Sequence, residues 1–275
     1  VRDSAILLQI LAGPDSSDPT SIQEQPPDFV TSLGRGVQGL KIAWSPDLGG
    51  VPVDPDVRRV TQDAALVFER LGAHVLEADF SLDHEHVMDI FKTVWWSDFA
   101  ANFGEIVAIR GDETTPTFRA MVEEALTWNV SKLAFALREL EWHRAKVAQL
   151  FQGFDLLLTP TLATTAFPVD HRPDLIDNVS VDPYWGFTPF TYPFNMSGNP
   201  AASIPCGFSP DGLPVGLHVV GALGNEVINQ HSNVGLIAPQ NHGFFALNES
   251  PSVNARHESL GACLFVSGSA IDLAR

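Results

Sequence analysis

Apolar positions along the chain follow two periods, and the switch between them marks out the elements. Val57, Val60, Ala64, Val67, Phe68 and Leu71 recur at three-to-four spacing, which predicts an amphipathic helix. Asp54 precedes it as an N-cap, Pro55 suits its first position, and Gly72 supplies the stop. Short apolar runs at residues 39–44 and 74–80 flank this helix and read as strands. Strand, helix and strand with such connections predict a βαβ unit with parallel pairing.

The rest of the pattern is helical first and extended afterwards. Residues 3–12 predict a helix capped by Asp3 and stopped by Gly13-Pro14, followed by a Pro- and Ser-rich loop over 14–27. Three further helices are expected over 83–103, 117–128 and 131–151, the last lined by Leu133, Leu137, Leu140, Val147 and Leu150. Residues 155–159 form a fully apolar strand that ends in Thr159-Pro160-Thr161. A long Pro- and aromatic-rich stretch runs over 166–200, with no element assigned to it. Strands over 202–205 and 215–220, joined by a Ser209-Pro210-Asp211-Gly212 turn, complete an α/β pattern without internal repeats. Beyond residue 222 the apolar patches at 235–238, 244–247 and 263–266 show no sustained period, so no helix is predicted there.

Composition narrows the function classes. Hydrophobic residues make up 45% and no apolar run reaches the length of a membrane span. Thirty-three acids against 16 bases give a net charge of −17, which speaks against nucleic acid or an anionic membrane as partner. Two cysteines, Cys206 and Cys263, exclude a disulfide scaffold and a multi-cysteine zinc site. The N-terminus lacks a signal pattern, so a cytoplasmic setting is expected. It also lacks an initiating Met and opens directly into a helix, which predicts missing upstream sequence. Residues 222–275 hold six Asn and no Lys, whereas residues 1–221 hold five Asn and all four lysines. A domain boundary is therefore placed at 221/222, with 222–275 a divergent tail, frame-shifted or disordered.

The chain offers no self-contained catalytic apparatus. It has no Gly-x-Ser-x-Gly elbow, and Ser16-Ser17 reads as a turn in an acidic loop. Ser267-Gly268-Ser269 lacks the glycines and lysine of a phosphate loop. No Gly-x-Gly-x-x-Gly motif calls for a dinucleotide, so no cofactor is expected. His84 and His86 are two apart on a helix start and cannot both chelate one ion, so both are expected to be solvated and no metal site is assigned. His171 reads as a surface turn, with a substrate contact as the alternative, and His218 as a core or pocket-facing imidazole with a satisfied ring nitrogen.

Two segments carry more detail than a core requires. Thr159-Pro160-Thr161 lies at the carboxyl end of a buried strand, where α/β sheets place ligands. The second is Asn195-x-x-Gly198-x-Pro200-Ala201-x-Ser203-x-Pro205, followed by Gly212-Leu213-Pro214-Val215-Gly216-Leu217. Its small residues suit close backbone approach, and Asn195 and Asn199 are placed to bond loop backbone. In this order the segments resemble the C-terminal half of the amidase signature family. Val1-Arg2-Asp3-Ser4-Ala5 through Pro14-Asp15 resembles the helix after that family's catalytic core, and Gly39-Leu40-Lys41-Ile42-Ala43 the strand that follows.

The resemblance implies a mixed-sheet α/β/α sandwich of which residues 1–221 supply only the C-terminal part. Half of one mixed sheet would leave an unpaired edge and an apolar face uncovered. The family hydrolyses linear amides through a Ser-cisSer-Lys acyl-enzyme mechanism whose residues all lie upstream of the resembled segment. No catalytic residue is carried onto this chain, which is expected to be inactive by itself. One branch of the family releases ammonia from glutamine for transfer RNA charging and places an Asp where this chain has Thr188. Here Thr188 sits among aromatics, which implies a pocket for an apolar or aromatic amide. Its candidate walls are Thr159, Tyr184, Trp185, Phe187, Thr188 and Phe190, with Asn195, Gly198, Pro200, Ser203 and Gly216 as framework. The implied partner is a small amide substrate; a homo-oligomer is left open. The alternatives are a non-catalytic binding remnant and a glutamine amidotransferase subunit, the latter disfavoured by Thr188 and the acidic charge.

Overall fold

A computed structural model describes residues 1–18 and 21–226. Its first helix, α1 (Arg2–Leu11), starts one residue earlier than expected, so Val1 is the cap and Asp3 lies in the first turn. A carboxylate there still favours the positive end of the helix. Ala5 is its buried residue, while Ile6, Leu7, Ile10 and Leu11 are exposed. The βαβ unit takes the expected form: β1 (Lys41–Trp44), α2 (Pro55–Arg70) and β2 (His74–Glu77), with β1 and β2 parallel. Asp54 caps α2 by accepting from the backbone N–H groups of Asp56 and Val57 at 2.8 and 3.3 Å.

Three helices follow: α3 (His84–Arg110), α4 (Pro116–Leu126) and α5 (Val130–Leu150). The first runs well past its predicted end at residue 103. The sheet resumes with β3 (Leu156–Pro160), buried at every position. Residues 166–200 are more ordered than their composition suggests. They hold a small hairpin, β4 (Leu175–Ile176) with β5 (Val179–Ser180), and a short helix, α6 (Tyr192–Ser197). Neither is long enough to display a period, so the apolar pattern gives no sign of them. Two longer strands, β6 (Ala201–Phe208) and β7 (Pro214–Gly221), close the sheet.

Strand order in the main sheet is β2-β1-β3-β7-β6. β1 pairs in parallel with β2 and β3, while β7 runs antiparallel to β3 and β6, so the sheet is mixed. Its two faces are covered differently. Gly207 of β6 lies so close to α2 that a Cβ there would stand 2.7 Å from Val60. On the opposite face, Phe194 of α6 meets the His218 ring of β7 at 5.8 Å. Helices thus flank the sheet on both sides, the α/β/α layering that the resemblance implied. Among the described residues, no helix is long and apolar enough to cross a membrane. The predicted tail is described only through residue 226, and the patches at 235–238, 244–247 and 263–266 lie outside the described residues.

Candidate functional site

The site is built where β3 ends. Thr161 follows that strand, and its hydroxyl shares a hydrogen bond of 2.7 Å with the Ser203 hydroxyl of β6. Gly216 of β7 stands opposite: a Cβ there would lie 2.7 Å from Ser203 Oγ and 2.9 Å from Thr161 Oγ1. The glycine is therefore required by close approach, as the sequence motif suggested. These three residues, with Leu162, Thr164 and Thr165, line a cavity of about 200 Å³ at the carboxyl end of β3. The candidate wall residues do not line it. Thr159 is fully buried, opposite His218 in the sheet, and its hydroxyl donates to the Pro160 carbonyl at 2.8 Å.

The remaining wall residues lie on a run of turns that leads from the strand end to α6. Ala163 donates its N–H to the Phe187 carbonyl at 3.0 Å, which ties that run to the loop after β3. The Trp185 carbonyl accepts from Thr188 twice, from its N–H at 3.0 Å and its hydroxyl at 2.9 Å. Trp185 itself packs edge-on against Phe91 and Trp95 of α3, with ring centres 5.2 and 5.3 Å apart and planes at 74° in both pairs. Phe187 meets Phe167 at 5.1 Å, Tyr184 is 43% exposed with the Arg172 guanidinium over its ring, and Phe190 is fully buried. Trp185, Phe187 and Thr188 are thus half-buried, Tyr184 is exposed and Phe190 is buried, all on one run of turns beside α3. Edge-on aromatic pairs of this kind add about 0.5–1.5 kcal/mol each beyond the area they bury.

Helix α6 and the motif after it tie this run of turns to the sheet. Gly198 ends the helix at φ 77°, a left-handed conformation suited to glycine, and donates to the Phe194 carbonyl. Asn199 donates through Nδ2 to the Gly221 carbonyl at 2.7 Å and accepts from the Ser197 hydroxyl, as expected of a loop-bonding amide. Asn195 instead lies exposed on α6, and the Pro200 carbonyl accepts from the Gly221 N–H at 2.8 Å. From the helical side, His143 of α5 reaches the Pro193 carbonyl at 2.8 Å, and Arg144 donates to the Met196 carbonyl at 3.1 Å.

Burial sets the protonation of three histidines, His84, His143 and His218, and of the Cys206 thiol. Burial lowers the pKa of His143 against the opposing bond to Pro193, and lowers that of His218 to about 4. His218 also departs from expectation, because its Nδ1 has no hydrogen-bond partner among the described residues. His84 is not a solvated helix start: its Nε2 meets the Leu48 carbonyl at 3.2 Å, and burial lowers its pKa. His86 turns the other way, to Glu139 of α5 at 3.3 Å. Burial pushes the Cys206 thiol up to about 12, so it is an inert core group rather than a nucleophile.

Periodicity gives no hint that the α3 aromatics partner the wall. Phe91 and Trp95 are four apart and share a face of the helix, but nothing local links either to a residue so far along the chain. One local signal is present at the other end: Asp182-Pro183 before Tyr184-Trp185 is a turn-starting dipeptide.

The family model described as amidase matches residues 1–228. An acylamidase from Rhodococcus erythropolis is 35% identical over 223 residues, covering 80% of this chain and 46% of that enzyme. A glutamyl-tRNA(Gln) amidotransferase subunit from Geobacter sp. (strain M21) is 29% identical over 247 residues, 80% of this chain and 49% of that protein. The crystal structure of a bacterial aryl acylamidase of the amidase signature enzymes superposes with a TM-score of 0.76 at 26% identity, over 86% of this chain and 50% of that one. The chain thus spans about half the length of the relatives it matches. With its mixed sheet, its helical layers and its Thr-Pro-Thr and Asn-to-Pro motifs in order, this chain belongs to the amidase signature family.

Proposed function

We propose that residues 1–226 are the scaffold and one substrate-pocket wall of a hydrolase that cleaves the C–N bond of linear, apolar or aromatic amides. In this reading a serine, relayed through a cis-bonded serine to a lysine, attacks the amide carbonyl. The amine leaves with a proton, and water then releases the acid from the acyl-enzyme. All three of those groups come from the part of the relatives that this chain does not span. This chain contributes position and selectivity.

The observation that carries the reading is Thr188. It is a small hydroxyl whose donor is already engaged by the Trp185 carbonyl, and its neighbours are Trp185, Phe187, Pro189 and Phe190. No carboxylate stands at that position to receive the amino group of glutamine, and an uncharged aromatic wall favours an uncharged aromatic group. The 35% identity to an acylamidase supports the same class, whereas a net charge of −17 fits poorly with a transfer RNA partner.

The test is a chimera in which residues 1–228 replace the matching half of the Rhodococcus acylamidase. It is expected to hydrolyse an aromatic anilide and to leave glutamine untouched. Thr188→Asp should lower the anilide-to-glutamine rate ratio about tenfold or more, the cost of one charge without a partner in an apolar wall. An unchanged ratio sinks the assignment, and a parent chimera that prefers glutamine establishes the amidotransferase reading instead.

A further inference from the structure

Asp182 lies just before the wall and organises it through both carboxylate oxygens. Oδ1 accepts the backbone N–H groups of Tyr184 and Trp185 at 2.7 and 3.2 Å. Oδ2 accepts from Lys92 Nζ of α3 at 3.1 Å, across 90 residues of sequence. Its own carbonyl receives the Gly186 N–H at 2.7 Å, closing the turn. That closure leaves no room for a side chain: a Cβ on Gly186 would stand 2.5 Å from Val181 Cβ and 2.7 Å from the Asp182 carbonyl oxygen. One turn further on, Trp185 holds Thr188 by two bonds to its carbonyl.

The electrostatics agree with this geometry. Burial works to raise the Asp182 pKa, yet the bonds from the Tyr184 N–H, Lys92 and the Trp185 N–H outweigh it and leave the carboxyl below its ordinary value. The same helix that carries Lys92 also carries Phe91 and Trp95, the two rings that meet Trp185 edge-on. A charge contact and an aromatic contact therefore tie one turn to one helix. The two edge-on contacts hold the Trp185 ring, and the Lys92–Asp182 bond adds a charge-assisted contact that fixes the start of the turn on the same helix.

We propose that Lys92 and Asp182 are positioning residues that fix the Tyr184–Thr188 turn against α3 and thereby set the shape of the amide pocket. The proposal rests on the wall assignment above for its consequence in catalysis, but not for its structural content. Neither residue touches the reacting atoms; they act through Trp185 and Thr188.

Two measurements test it separately. The first is amide hydrogen exchange on this chain, comparing the parent with Lys92→Met, Lys92→Arg, Asp182→Asn and Asp182→Ala. Removing the carboxylate in Asp182→Ala should speed exchange at Tyr184 and Trp185 about tenfold or more, the loss of a charge-assisted bond. Lys92→Met should speed both several-fold and Lys92→Arg should restore the parent rate, while Leu157 and Val219 in the sheet exchange as before and report an intact fold. Asp182→Asn keeps a carbonyl acceptor for the two N–H groups and loses the charge, so its rate should lie between those of the parent and Asp182→Ala. Exchange at Tyr184 and Trp185 that is unchanged in Asp182→Ala overturns the proposal. The second is kinetics in the chimera: Lys92→Met should raise KM for an aromatic anilide about tenfold with kcat within about twofold, and Lys92→Arg should recover it. A fall in kcat at constant KM overturns the positioning role. A chimera that hydrolyses no anilide at all removes the proposed substrate class, and the exchange result alone then decides whether Lys92 and Asp182 fix the turn.

Discussion

The β3–β7 end of the sheet and the aromatic wall beside α3 are held together by different means. At the strand end, the contacts are ladder bonds between residues paired in fixed register: Leu157 with Val220, Thr159 with His218, Ser203 with His218. The side chains there are small or fully buried, and Gly216 is required only because two hydroxyls crowd it. At the wall, residues 184–188 belong to no strand. Side-chain to backbone bonds, edge-on rings and one ion pair hold a run of turns against a helix. A ladder locks position through many equivalent bonds, whereas the wall depends on a few individual ones. Single substitutions should therefore displace the turns more readily than the ladder.

Between the two regions stands α6, and breaking it should have the largest effect. Phe194 is fully buried, packs on His218 and offers its carbonyl to Gly198 and Asn199. Phe194→Ala is expected to cost about 3–5 kcal/mol, the usual penalty for emptying a buried phenylalanine site. Urea unfolding measures this; a loss below about 1 kcal/mol would mean that the two regions are not joined there.

Acid should separate the regions next. His143 and His218 both sit at this junction, and each holds a proton less well in the fold than in the unfolded chain. A depressed histidine pKa contributes stability that is complete above about 6.5 and is lost as pH falls toward about 4, the window set by His218. For His218 alone the loss across that window is about 3 kcal/mol. His218→Asn should flatten the profile by about that amount relative to the parent. Parallel profiles for the two proteins would show that the imidazole is not held neutral.

The smallest effect belongs to the helix on the far face of the sheet. Asp54→Ala removes the acceptor for the Asp56 and Val57 N–H groups and should cost about 1 kcal/mol. Because α2 lies on the face opposite α6, this change should leave hydrogen exchange at Tyr184 and Trp185 as in the parent. Faster exchange at those amides would place the wall and the βαβ unit in one cooperative block.

Legibility in the sequence follows the same division. The βαβ unit, its Asp54 cap, the β3 strand and the β6–β7 pair can be read from spacing alone, because their signals lie within one element or its immediate flank. The hairpin β4–β5 and helix α6 cannot, since strands of two residues and a helix of six are too short for either period to appear. The framework motif is legible in type but not in detail: Asn199 bonds backbone as expected, while Asn195 is exposed. His84 and His218 depart from expectation for one reason. Solvation and hydrogen-bond satisfaction depend on what the chain folds against a residue, and the Leu48 carbonyl that meets His84 is 36 residues away.

Residue spacing, caps and glycine stops determined the α/β class, the parallel βαβ unit and the family motifs, because those are properties of local chain and of short segments in order. The tertiary structure decided that the sheet turns antiparallel at β7, that Thr159 and Phe190 lie in the core, and that Trp185 and Thr188 are half-buried. It also brought Lys92 to Asp182. Each of those outcomes joins residues far apart in sequence, and their free energy exists only once the chain between them has been folded into place.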